Sequence, residues 1–170
     1  MWKITDDGKK KTSELIKECK KHFDVYCYWD DKELDEHFPV PKESTTRYFN
    51  ETIEAEDEKG KSYKDLKDPE NYCTLRERLL MEIAYFKDTG RHLDVDNWTL
   101  CAGSRTAGGY VPGVHLYGDG KVYVNYWHLD YASDDLRFRR TLSLSPSPTS
   151  SLDSAIDLVK KAWYQVIKIM

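Results

Sequence analysis

No stretch of this chain approaches the roughly 18 consecutive apolar residues that a membrane-spanning helix requires. The N-terminal run Met1-Trp2-Lys3-Ile4-Thr5-Asp6-Asp7 turns charged before the apolar core of a secretory signal can form. Neither membrane insertion nor secretion is expected, and a cytoplasmic setting follows. Cysteine is sparse: Cys19, Cys27, Cys73 and Cys101 stand far apart, with no pair at C-x-x-C spacing. That excludes the dense disulfide framework of small secreted domains and leaves reduced, mostly buried thiols as the expectation.

A positive excess is lacking as well. The net charge is −4, and residues 28–72 alone carry seven basic against fourteen acidic side chains. A generic nucleic-acid binder, which needs a basic field over the whole domain, does not have this balance. No internal repeat is visible beyond the tripeptide His-Leu-Asp, used twice and too short to imply duplication. The glycine-rich stretch Ala102-Gly103-Ser104-Arg105-Thr106-Ala107-Gly108-Gly109 lacks the Lys-Ser/Thr ending of a P-loop and the strand-to-helix setting of a dinucleotide fingerprint. No cofactor is expected there. Gly and Ser amides beside Arg105 can form an anion-binding nest, the plain alternative being a mobile loop.

What is present suffices for one core. The chain has 170 residues, 39% hydrophobic and 13% aromatic, which places it in the size range of a single domain. Leu15, Ile16, Cys19 and Phe23 recur at helical spacing within 9–23 and predict a first helix. Val25-Tyr26-Cys27-Tyr28-Trp29 reads as a buried strand. The acidic segment 30–72, punctuated by Pro39, Pro41 and Pro69, reads mostly as loop, with an edge strand possible over 45–53. Thr74-Leu75-Arg76-Glu77 is a capping box, and Gly90 suits a left-handed helix end, so a second helix is predicted from Leu75 to Asp88. A proline-punctuated connector over 145–151 leads to a third helix, in which Leu152, Ile156, Val159, Trp163, Val166 and Ile167 share one face.

Between them, Trp98 to Leu144 reads as a β-meander with strands over 111–117, 121–127 and 136–144, turned at Gly118-Asp119-Gly120. The fold class expected is α+β: a single domain whose largely antiparallel sheet of four or five strands packs on three amphipathic helices. Alternation across the sheet sends Val114, Leu116, Val122, Val124, Tyr126, Leu136, Phe138, Leu142 and Leu144 to the helices. It leaves His115, Tyr117, Tyr123, Asn125 and Trp127, with Arg137 and Arg139, on the opposite face. Arg140 breaks the pattern and signals a bulge or a sheet edge.

A face of Tyr, Trp and Arg side chains can anchor a protein partner, stack on bases or clasp a phosphate. The function expected is non-enzymatic binding of another protein through that face, with Arg105 at its margin. Single-stranded nucleic acid is a second possible ligand. A rival chemistry comes from His92-x-Asp94-x-Asp96, whose side chains point one way on an extended segment, and from His128 and Asp130 at the same spacing. Together they offer N and O ligands to a divalent cation that activates water for phosphodiester hydrolysis. A Cys101–His115 nucleophile and base is conceivable but has no orienting acid, and Glu77 and Glu82, five residues apart, are read as solvated or paired with Arg76 and Arg78.

Overall fold

A computed structural model of the chain describes residues 1–143. The expected third helix and its connector, together with Leu144, lie outside the described residues. The described part is α+β, with three helices, a five-stranded mixed sheet and a two-stranded antiparallel ribbon. No described helix is long and apolar enough to cross a membrane.

The chain opens with β1 (Trp2–Asp6), a strand the sequence analysis missed, which pairs antiparallel with β3 (Thr45–Phe49). Between them lie α1 (Thr12–Lys20), β2 (Val25–Cys27) and α2 (Asp31–His37). Helix α2 falls in the segment expected to be loop. It is only seven residues long, and its start carries its own capping box, in which Asp30 accepts from the Glu33 amide at 2.9 Å and Glu33 from the Asp30 amide at 3.0 Å.

Helix α3 (Leu75–Thr89) begins and ends where local signals place it. Thr74 Oγ1 accepts from the Glu77 amide at 3.1 Å, the Glu77 carboxylate accepts from the Thr74 amide at 2.8 Å, and Gly90 takes the left-handed conformation at φ 68°.

The remaining strands are β4 (Trp98–Leu100), β5 (Tyr110–Leu116), β6 (Val122–His128) and β7 (Leu136–Phe138). Hydrogen bonding orders the sheet β2-β6-β5-β4-β7. Strands β4, β5 and β6 run antiparallel as a meander predicts, but β2 joins β6 in parallel and β7 joins β4 in parallel. The sheet is mixed because β6 already has both neighbours, so β7 crosses to the free side of β4.

Both faces of this sheet are covered by apolar side chains, in two separate clusters. Val114, Val122 and Val124 pack with Leu15, Ile16 and Leu79 of α1 and α3. On the other face, Trp98, Leu100, Val111, Leu136 and Phe138 gather around Tyr72, with Tyr63 and Leu66 of the acidic segment packed over them.

That second cluster corrects the expected register of β7. Trp98 aligns with Leu136 and Leu100 with Phe138, so the two apolar residues share the aromatic face, while Arg137 and Arg139 follow Thr99 toward the helices. In a pleated strand, a one-residue change of register inverts every side chain at once. Leu142, expected in the sheet core, lies beyond β7, where its amide donates to the Tyr48 carbonyl at 2.8 Å. Arg140 lies beyond β7 in an isolated antiparallel bridge with Tyr72; its amide donates to Asp57 at 2.8 Å and its guanidinium lies 4.8 Å from the Tyr72 ring.

Candidate functional site

The aromatic face predicted from β5 and β6 exists, and β2 and β4 extend it. Register places Val111 beside Trp127, Gly113 beside Asn125 and His115 beside Tyr123, all on one side. Ring contacts then run without a break across four strands. Tyr26 meets Tyr123 at 5.0 Å, Tyr123 meets Tyr117 at 4.9 Å, Tyr117 meets His115 at 5.6 Å and His115 meets Trp98 at 4.9 Å. Trp98 closes the strip on Trp127 at 4.3 Å, at an angle favoured by the ring quadrupoles.

Exposure along this strip is graded. Trp98 is 9% exposed beneath the 50–72 segment, whereas Tyr117, at the β5–β6 turn, and Tyr26, on the outer strand β2, are 52% and 46% exposed. Gly113 sets the depth of the strip. A Cβ there would stand 2.7 Å from Trp127 Cζ3 and 2.9 Å from Leu100 Cδ2, so only glycine lets the indole lie flat on the strand.

His115 is held in one tautomer. Its Nδ1 faces two carbonyls, Asp94 O at 2.8 Å and Asn97 O at 3.1 Å, and must carry the proton to donate to either. Nε2 of the neutral ring is therefore an acceptor.

Of the eight residues assigned to the binding face, five lie on it: His115, Tyr117, Tyr123, Asn125 and Trp127. Arg137 and Arg139 are on the opposite face. Arg139 is 4% exposed and is spent internally, donating to Asp94 at 2.6 Å, to the Ile53 carbonyl at 2.7 Å and to the Thr52 carbonyl at 2.8 Å. Arg105 belongs to a separate cleft beside the start of α3. Tyr26 and Trp98 carry no sequence signal for the strip, because each joins it through strand pairing that no local pattern encodes.

The His92-Asp94-Asp96 cluster does not converge. Asp94 is fully buried, and both carboxylate oxygens are taken: Oδ1 accepts from Arg139 and from the Ala55 amide at 2.8 Å, Oδ2 from Arg78 at 2.8 Å and from the Thr99 hydroxyl. Burial alone would raise the Asp94 carboxyl, but Arg78 and Arg139 outweigh it and hold it below the ordinary value. The Asp94 backbone is left-handed at φ 51°, which Asp tolerates better than most residues. His92 turns instead to Glu82, 2.8 Å from Nδ1, and Glu82 pairs with Arg78 at 2.7 Å. Asp96 is exposed, and the Glu54 carboxylate accepts from the Val95, Asp96 and Asn97 amides at 2.7 to 3.1 Å.

His128 is exposed at the end of β6, and Asp130 pairs with Lys64 at 3.7 Å. Among the described residues, no three His, Cys, Asp or Glu side chains are grouped to hold a metal ion. Cys101 and His115 sit on opposite faces of the sheet, and burial pushes the Cys101 thiol well above its ordinary value. Glu77 and Glu82 are buried, not solvated; Glu82 pairs with Arg78, while Glu77 pairs with Arg47 at 3.2 Å and Arg76 turns to Asp6.

Comparison with known protein families, with curated proteins and with solved structures finds no match to this chain.

Proposed function

We propose that the protein is a non-enzymatic binding module that takes an extended segment of another protein along the outer edge of its large sheet. The observation that carries this reading is the unbroken aromatic strip, whose two most exposed rings are Tyr26 on β2 and Tyr117 just past β5, bridged by Tyr123 of β6. Strand β2 ends the sheet order, so its outer side faces no other described strand. An incoming strand gains main-chain hydrogen bonds from such an edge, and its alternate side chains reach the rings beside it. Tyrosine supplies large contact area at low entropic cost, which is why it concentrates at interface anchors.

The inner end of the strip is occupied by the chain itself, since Tyr63, Leu66 and Tyr72 of the acidic segment cover Trp98 and Phe138. That segment limits the partner to the outer part of the strip. Two other readings have less support. Nucleic-acid stacking loses the guanidinium groups of Arg137 and Arg139, which lie on the far face, and the hydrolase reading loses Asp94 to its two arginines.

The test is a selection from a random peptide library on the intact protein, followed by titration of recovered peptides against Tyr26→Ser/Tyr117→Ser. Affinity at least tenfold weaker for the double variant, at an unchanged melting temperature, is the expected result. Peptides that bind both proteins equally, or a pool that yields no binder while oligothymidylate binds with steep salt dependence, overturn the reading.

A further inference from the structure

We infer a second, independent ligand site: a cleft of about 320 Å³ at the start of α3, shaped for a small molecule that carries an oxyanion on a compact apolar body. It lies away from the aromatic strip and does not depend on the reading of that strip.

Three arginines line the cleft: Arg47, Arg76 and Arg105. Two are fixed by acids. Arg76, 4% exposed, donates to both oxygens of Asp6 at 2.6 and 2.8 Å, to Thr12 Oγ1 at 3.0 Å and to the Lys10 carbonyl at 2.8 Å. Arg47 donates to Glu77 at 3.2 Å and to the Glu70 and Tyr72 carbonyls at 2.8 and 2.9 Å. Each of these is a near-neutral pair held in one geometry. Arg105 is different: it lines the same cleft, is exposed and takes part in no ion pair among the described residues. Three guanidinium groups against two carboxylates leave the walls with one uncompensated positive charge, contributed by Arg105, and His37 stands beside them.

The loop that presents Arg105 is pinned. Gly103 donates its amide to the Cys73 carbonyl at 3.0 Å, and a Cβ at Gly103 would stand 2.4 Å from the Tyr72 carbonyl oxygen. Ser104 Oγ accepts from the Leu75 amide at 3.0 Å. That bond satisfies the first amide of α3 from within the chain, so the helix end is not what recruits the ligand. What the loop provides is a guanidinium whose attachment point is already ordered, which lowers the entropic cost of binding. The same cleft has an apolar lining from Phe38, Pro39 and Pro41, and Phe38 is buried against Trp29 at a ring distance of 5.0 Å. A cleft that combines a planar fork of donors with apolar lining matches an oxyanion borne on a small ring or short hydrocarbon better than a bare ion.

The experiment is an amide-detected NMR titration of the whole protein with phenyl phosphate, benzoate and inorganic phosphate in parallel. Saturable shifts at Gly103, Ser104 and Arg105 are expected with phenyl phosphate or benzoate, at least tenfold tighter than with inorganic phosphate, and the tighter of the two identifies the head group. Arg105→Ala is expected to lose at least tenfold in affinity at an unchanged melting temperature, with Arg105→Lys retaining part of the binding. Inorganic phosphate binding as tightly as the aromatic anions, no saturable shift with any of the three, or undiminished binding by Arg105→Ala overturns the inference.

Discussion

Arg78 and Asp94 meet at 2.8 Å with neither side chain exposed to solvent. Two full charges this deep are stable only when each is matched on several sides. Asp94 is matched by Arg139 as well, and Arg78 by Glu82 at 2.7 Å, so the four groups form one buried chain of alternating sign. His92 extends the chain from Glu82 toward the surface.

Asp94→Ala strands two guanidinium groups in this network. Removing one partner of a buried ion pair costs about 3–5 kcal/mol, and equilibrium urea unfolding is expected to show a loss of that order. A loss within experimental error of zero would mean that the network carries no net stability.

The same carboxylate sets an acid limit. Its folded-state pKa lies below the ordinary 3.8, so its stabilisation is complete above that value and is lost as pH falls through the lower folded value. Unfolding free energy measured from pH 6 downward is expected to fall most steeply below about pH 4, and Asp94→Asn is expected to flatten that limb.

Gly113→Ala tests the seat of the strip. The added methyl meets Trp127 and Leu100 at under 3 Å, and the ring of Trp127 must lift or the strand must shift. The cost expected for such overpacking is about 1–3 kcal/mol, accompanied by a shift in tryptophan emission that Gly118→Ala, in open space, does not produce.

Thiol chemistry reports on burial. Desolvation pushes Cys19 up to about 12 and Cys27 up to about 11, and Cys19 is fully buried. A disulfide reagent at pH 8 is expected to modify the native protein slowly, with Cys27, the only one of the four not buried, reacting first. Four thiols reacting at once without denaturant would contradict the packing.

Removing the cap of α3 by Thr74→Ala deprives the Glu77 amide of its acceptor. Such losses typically cost about 1 kcal/mol, and thermal unfolding is expected to register a drop of that size. The effect should leave the aromatic strip untouched, because Thr74 makes no contact with it.

Local signals in the sequence were strong where local interactions decide. The Thr74–Glu77 box and Gly90 bound α3 correctly, and the Gly118-Asp119-Gly120 turn joins β5 to β6, with Tyr117 donating to the Lys121 carbonyl at 2.9 Å. The Asp30–Glu33 box was equally plain and marks α2, but the surrounding prolines and acids drew the reading toward loop. Partner choice was not legible. Of the strand expected over 136–144 only Leu136–Phe138 forms, and which side faces the helices is set by its register against β4. Alternation alone puts Arg139 on the aromatic face, and the counter-ion that holds it on the other side, Asp94, comes from a connector 45 positions away. The same connector looked like a metal cluster, because a buried counter-ion and a ligand are drawn from the same side chains.

The wiring of Asp94 also orders events during synthesis. One of its arginines precedes it by 16 residues and the other follows it by 45. A growing chain therefore exposes α3, the Asp94 loop and then the β4–β5 pair before Arg139 is available. The second guanidinium of this buried network therefore arrives only with the end of β7, after the other four strands of the large sheet have been made.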